Sequence, residues 1–202
     1  MRELSPITLG VWLCLLALVA PRLAAAEVEV STVRFSNVRA PNGATGTWLE
    51  AEIALQVKPA PGAVGQMVPR VRVAMLMAFE LPGPAGGERR LESYRADAEC
   101  VALEPGRAHV RFYLPPELVK RDQLHGDPKF WGVELTAAGR PQPPERSAYS
   151  TTLTSAEQRK NFQAKAGSTA AANDGVLVPQ YLTPFALEYP RATPSFVRRD
   201  AR

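Results

Sequence analysis

The stretch Val68 to Leu81, VPRVRVAMLMAFEL, restricts the fold more than any other part of this chain. Val71, Val73, Met75, Met77, Phe79 and Leu81 share one parity, and Ala74, Leu76 and Ala78 make the middle of the opposite parity apolar as well. Side chains alternate between the two faces of a strand, so this strand is expected to be covered on both sides at its centre. A strand of that kind belongs in the middle of a sheet inside a layered domain. The rest of the chain must therefore supply both covering layers.

Residues 1–26 do not contribute to those layers. Leu9 to Ala20 is an apolar run followed by Ala24, Ala25 and Ala26, a small-residue cleavage site of the secretory type. About a dozen apolar residues fall short of the roughly 20 that span a bilayer, so cleaved export is expected rather than a retained anchor. Leu13 precedes Cys14 where a lipoprotein signal needs a small residue, which argues against lipidation. The mature chain is expected to begin at Glu27.

Removing those 26 residues from 202 leaves 176, enough for one domain with a substantial core. Cys100 is then the one remaining cysteine, so no internal disulfide can form, and it reads as a small buried apolar residue. Taking Arg2, Arg22 and Glu3 from the 24 basic and 20 acidic residues leaves 22 and 19. That excess of three equals the balance of residues 190–202, where Arg191, Arg198, Arg199 and Arg202 stand against Asp200. The body is neutral, which excludes a broad nucleic-acid surface.

Residues 27–38 alternate through Val28 and Val30, then shift parity to Val33 and Phe35, which predicts a strand with a bulge at Ser31 and Thr32. After a turn at Pro41, Asn42 and Gly43, residues 47–57 put Leu49, Ala51, Ile53, Leu55 and Val57 on one face and Glu50, Glu52 and Gln56 on the other. Beyond the central strand, residues 89–103 form its expected return partner, with Tyr94, Ala96, Ala98 and Cys100 on one face. Residues 108–114 predict Val110, Phe112 and Leu114 inward and His109, Arg111 and Tyr113 outward.

Pro116, Glu117 and the Lys120-Arg121 pair predict a short helix over residues 115–124. Further strands are expected at 130–136, weakly at 148–153 and at 176–182. Between the last two, Thr154 or Ser155 with Glu157 or Gln158 offers a capping box for a helix running to about Ala166. Short strands separated by turn residues, with no βαβ alternation, predict an all-β sandwich of about seven to nine strands with one or two short helices. The domain is expected to span residues 27–189. Residues 190–202 form a basic tail that runs extended along the surface or reaches a partner.

No residue pattern specifies catalysis. His109 and His125 are the two histidines, neither is paired at metal-ligand spacing with Cys100 or Asp127, and nucleophile-elbow and phosphate-loop motifs are absent. Asp97 with Glu99, and Glu50 with Glu52, share strand faces as a pair of glycosidase carboxylates would, but any solvated strand face gives the same pattern. No catalytic residue, cofactor or metal is expected. Trp48, Trp131, Tyr113 and Tyr149 would suit sugar stacking, although Trp131 shares parity with Val133 and Leu135 and so reads as core.

Several stretches carry a resemblance: FSNVRAPNG from Phe35, GTWLEAEIAL from Gly46, RFYLPPELVKRDQL from Arg111, NDGVLVPQYLTPFA from Asn173 and TPSFVRR from Thr193. Together they resemble a verrucomicrobial family of exported pilus-like proteins. The resemblance implies an immunoglobulin-like sandwich associated with a type IV pilus-like system, hence a structural or assembly role. Leu9 to Ala20 lacks the Glu of a pilin stem and precedes a signal-peptidase site, so an accessory or strand-exchange subunit is implied rather than a stem-bearing pilin.

The expected function is therefore non-enzymatic, in the periplasm, at the outer-membrane surface or outside the cell, through contacts with other protein subunits. A carbohydrate-binding module is the alternative. Phe196, Arg198, Arg199 and Arg202 are the candidate partner-binding residues, because aromatic and basic groups on an extended segment suit strand addition or groove docking.

Overall fold

The structure, a computed structural model, describes residues 27–41, 43, 45–62, 66–83, 87–189 and 193–198. Residues 1–26, expected from the sequence to be a cleaved signal, and Asn42, Arg199 and Arg202 lie outside them. Two antiparallel sheets face each other as a β-sandwich. Sheet A contains β1 (Glu27–Arg39), β2 (Thr47–Lys58), β5 (Gly106–Leu114) and β8 (Val178–Pro179), in the order β1-β2-β5-β8. Sheet B contains β3 (Val68–Leu81), β4 (Arg90–Leu103), β6 (Phe130–Ala137) and β7 (Arg140–Pro141), in the order β4-β3-β6-β7.

The central strand is where its sequence put it. β3 pairs antiparallel with β4 on one side and β6 on the other. Val71, Val73, Met75, Met77, Phe79 and Leu81 are buried and join the core between the sheets. The opposite face, with Ala74, Leu76 and Ala78, is also buried. Its cover is α2 (Ala156–Ala170), a helix that lies over β4, β3 and β6 and buries Phe162, Ala166 and Ala170 at four-residue spacing. Gly132, opposite Leu76 on β6, permits this close layer, because a Cβ there would come within 3.0 Å of the Tyr149 ring.

Helix α2 begins at the predicted capping box. Ser155 Oγ accepts from the Gln158 backbone N–H at 3.1 Å, and Gln158 Oε1 accepts from the Ser155 N–H at 3.1 Å. The helix continues to Ala170, a turn beyond the predicted end, because Gly167 stays helical and Thr169 donates to Ser93 on β4 at 2.9 Å. Ser155→Ala is expected to cost about 1 kcal/mol of stability by removing one side of the reciprocal cap, measurable by urea denaturation.

The β1 bulge falls between Val30 and Thr32, so Val28 and Val30 before it and Val33 and Phe35 after it point inward. The short helix α1 (Pro116–Arg121) has Pro at its start, Glu117 in its first turn and Lys120 and Arg121 in its last, and it buries Leu118 and Val119. Two predicted strands are corrected. Residues 148–153 leave a 3₁₀ turn (Arg146–Ala148) and make a single bridge from Tyr149 to Gly132, while β7 and Gln142 already occupy the other end of the β6 edge. Of residues 176–182, only Val178–Pro179 pairs; Pro179 cannot extend the ladder, and a 3₁₀ turn (Gln180–Leu182) follows.

Candidate functional site: the sheet edges and the C-terminal strap

After β8 the chain leaves sheet A and crosses to sheet B. Residues 180–189 lie as a strap over the outer face of sheet A. Phe185 stacks on Tyr113 with ring centres 4.4 Å apart and planes 4° from parallel, while Trp48 meets both rings edge-on. Tyr189 lies over the Arg111 guanidinium at 4.3 Å, a cation–π contact. The buried Gln180 amide secures the strap: its Nε2 donates to the carbonyls of Phe185 and Glu188, both at 3.0 Å, and to Thr193 Oγ1 at 3.2 Å.

This strap overturns the outward assignment of Arg111 and Tyr113. Arg111 is 4% and Tyr113 0% exposed. They do point away from the inter-sheet core, but a third layer covers them. Tyr113 donates to Glu50 Oε2 at 2.6 Å, Arg111 pairs with Glu52, and His109 Nδ1 stands 3.4 Å from Glu52 Oε1. Burial and the Glu50 carboxylate push the Tyr113 hydroxyl far above the usual tyrosine range. Glu50 and Glu52 are thus committed to structural pairing.

The second carboxylate pair is engaged too: Asp97 with Arg72 at 3.0 Å and Glu99 with Arg70 at 2.5 Å. Among the described residues, no group of three or more His, Cys, Asp and Glu side chains is placed to hold a metal.

Residues 193–198 close the outer edge of β4. Val101 N–H donates to Ser195 O at 2.8 Å, Val197 N–H donates to Glu99 O at 2.7 Å, and Phe196 bridges antiparallel to Cys100. Phe196 is half-buried, with its ring 5.1 Å from Tyr181, and Arg198 is exposed. Two of the four candidate partner-binding residues are therefore located, with Phe196 serving its own sheet. Cys100 is fully buried beneath this junction, and desolvation pushes its thiol up to about 12. A disulfide reagent such as Ellman's is expected to leave native Cys100 unmodified over hours and to react within minutes in denaturant.

The four candidate sugar-stacking rings do not form one platform. Trp48 and Tyr113 lie under Phe185, half-buried Trp131 packs on Phe35 at 5.9 Å, and Tyr149 is covered by Arg159 and hydrogen-bonded to Gln163.

The opposite side of the sandwich is left open. β1 is the edge strand of sheet A, and its first residues are closed by the segment after β7: Val28 N–H donates to Gln142 Oε1 at 3.2 Å, and Ser147 Oγ donates to Val30 O. From Thr32 to Arg39, no strand among the described residues pairs with the outer side of β1. Val33 and Phe35 form its half-buried inner lip beside Trp131, and Arg34 and Ser36 face outward. At Asn37 the lip opens into a groove of about 620 Å³ that contains Lys120, Glu117 and His125. No sequence signal distinguished this edge from a paired one, because strand alternation does not encode how many neighbours a strand has.

No family model and no curated protein matches the chain. Its fold is similar to that of a protein from Akkermansia muciniphila known from a crystal structure, with a TM-score of 0.66 over 87% of this chain and 95% of that one, at 18% identity. At that identity the likeness bears on the fold alone. Among the described residues, no helix is long and apolar enough to cross a membrane.

Proposed function

We propose that this is an exported, non-enzymatic structural or assembly component of a pilus-like or cell-envelope system, acting through contacts with other protein subunits. The open outer half of β1 carries the reading. A long edge strand with unpaired backbone donors and acceptors is a template for pairing, and folded proteins otherwise cover or blunt such edges. Here β4 is covered by the chain's own tail and the start of β1 by residues 142–147, so closure is selective. The engagement of Asp97, Glu99, Glu50 and Glu52 by arginines supports a contact role for these strand faces over an acid/base one. A shared fold with a protein of Akkermansia muciniphila, a verrucomicrobium, fits the sequence resemblance.

The test is photo-crosslinking in the native cell envelope, with a benzophenone side chain replacing Ser36. A discrete adduct with another envelope protein is expected, and none when the probe replaces exposed Lys160 on α2. Failure to crosslink from Ser36, together with saturable binding of the mature chain on a glycan array, would replace this reading with the carbohydrate-binding one.

A further inference from the structure

We infer that residues 32–39 of β1 take an extended, acidic segment of a partner protein as an added strand, with apolar side chains inward and acidic ones opposite Arg34 and at the Lys120 groove. The inference rests on the protein-contact reading above and specifies the chemistry of the partner.

The geometry sets the length and register of the guest. Closure of Val28 and Val30 by Gln142 and Ser147 blocks one end, and the bulge after Val30 ends regular pairing there. From Thr32 onward the strand is regular through Arg39. Eight residues at about 3.4 Å each give roughly 27 Å of edge, enough for a guest of six to eight residues. Backbone pairing supplies affinity in such additions, and alternate side chains supply selectivity.

Inward side chains of the guest meet Val33, Phe35 and the half-buried Trp131 ring at the mouth between the sheets. That lip is apolar, so aliphatic residues at alternate positions fit it. Outward side chains run beside Arg34, which forms no ion pair with any described residue; its cross-strand neighbour Glu52 is already paired with Arg111. The far end reaches the groove, which Lys120 lines together with Glu117 and the His125 ring.

Charge complementarity selects among occupants. A second copy's β1 paired antiparallel over residues 32–39 would set Asn37 opposite Arg34 and Thr32 opposite Arg39 and so bring no acidic group to either, and a second copy's tail would bring Arg198, Arg199 and Arg202 to the same cations. Like charges at an added strand are unfavourable. An acidic segment reverses both terms.

The probe is a blocked, fluorescein-labelled octapeptide in which valine alternates with glutamate and both ends are acidic, titrated into the full mature chain and followed by anisotropy and hydrogen exchange. Binding is expected to protect amides of residues 32–39, to weaken with salt, and to fall about tenfold in Arg34→Glu and in the lysine version of the peptide. Lys165→Glu, on α2, should leave it unchanged.

Absence of binding, protection elsewhere, or equal affinity for the lysine peptide overturns the acidic assignment. Oxidative dimerisation of Ser36→Cys without peptide would instead assign the edge to a second copy. If envelope crosslinks from Ser36 form while the acidic peptide does not bind, the contact reading survives and the partner chemistry fails; loss of both removes the two together.

Discussion

Arg111→Met is expected to destabilise the domain by about 3–5 kcal/mol, the usual cost of removing one member of a buried ion pair. Arg111 is 4% exposed, and its guanidinium lies beside Glu50 and Glu52 and supports the Tyr189 ring. Methionine fills much of its volume, so the loss comes from charge rather than from a cavity. Two carboxylates then lose their buried counterion, and the hydrogen bonds of Tyr113 and Ser36 to Glu50 and the His109 ring beside Glu52 do not replace it.

The variant Arg111→Met/Glu50→Gln/Glu52→Gln is expected to recover much of that stability, because neutral partners need no counterion. Urea denaturation of the two variants measures the difference. Equal stability of Arg111→Met and the parent would show that the strap does not depend on the charge cluster, and failure of the triple variant to recover would place the loss in the Tyr189 contact.

The same cluster marks where sequence reading stops. Parity along β5 correctly puts Val110, Phe112 and Leu114 on one face and Arg111 and Tyr113 on the other. It equates the second face with solvent, because alternation distinguishes two sides of a sheet and carries no information on a third layer. The strap that supplies that layer is irregular, proline-spaced and held by one buried Gln180 side chain, and no periodicity betrays it.

β3 was legible for the opposite reason: apolar residues on both parities can be satisfied only by two covers, and the second proved to be α2. The capping box fixed the start of that helix because its hydrogen bonds are local. The strands expected at 148–153 and 176–182 shrink to a bridge and a two-residue pairing, where proline and competing edge contacts interrupt the ladder. Of the four residues chosen as partner-binding, Phe196 packs against its own sheet and Arg198 stays exposed. The open half of β1 depends on which strands sit beside it, a property of topology alone.

Phe112→Ala is expected to cost about 3–5 kcal/mol as well, by a different mechanism. Phe112 is fully buried on the inner face of β5, opposite Ala51 on β2 and Pro179 on β8. Neither neighbour can move in: Ala51 has one methyl group and is itself fully buried, and Pro179 is rigid. The cavity therefore persists, and the cost includes lost packing as well as lost apolar transfer.

For a domain of this size each kcal/mol lowers Tm by about 2–4 °C, so a fall of roughly 10 °C is expected by calorimetry. Phe112→Leu keeps most of the volume and should cost less than about 1.5 kcal/mol. Phe196→Ala removes a half-buried ring at the β4 edge and should cost less than Phe112→Ala while raising exchange at the Val101 amide, which donates to Ser195. A Phe196→Ala loss as large as that of Phe112→Ala would mean that the closed β4 edge is part of the cooperative core, and the contrast between a sealed side and an open β1 side would then be a condition of folding as well as of recognition.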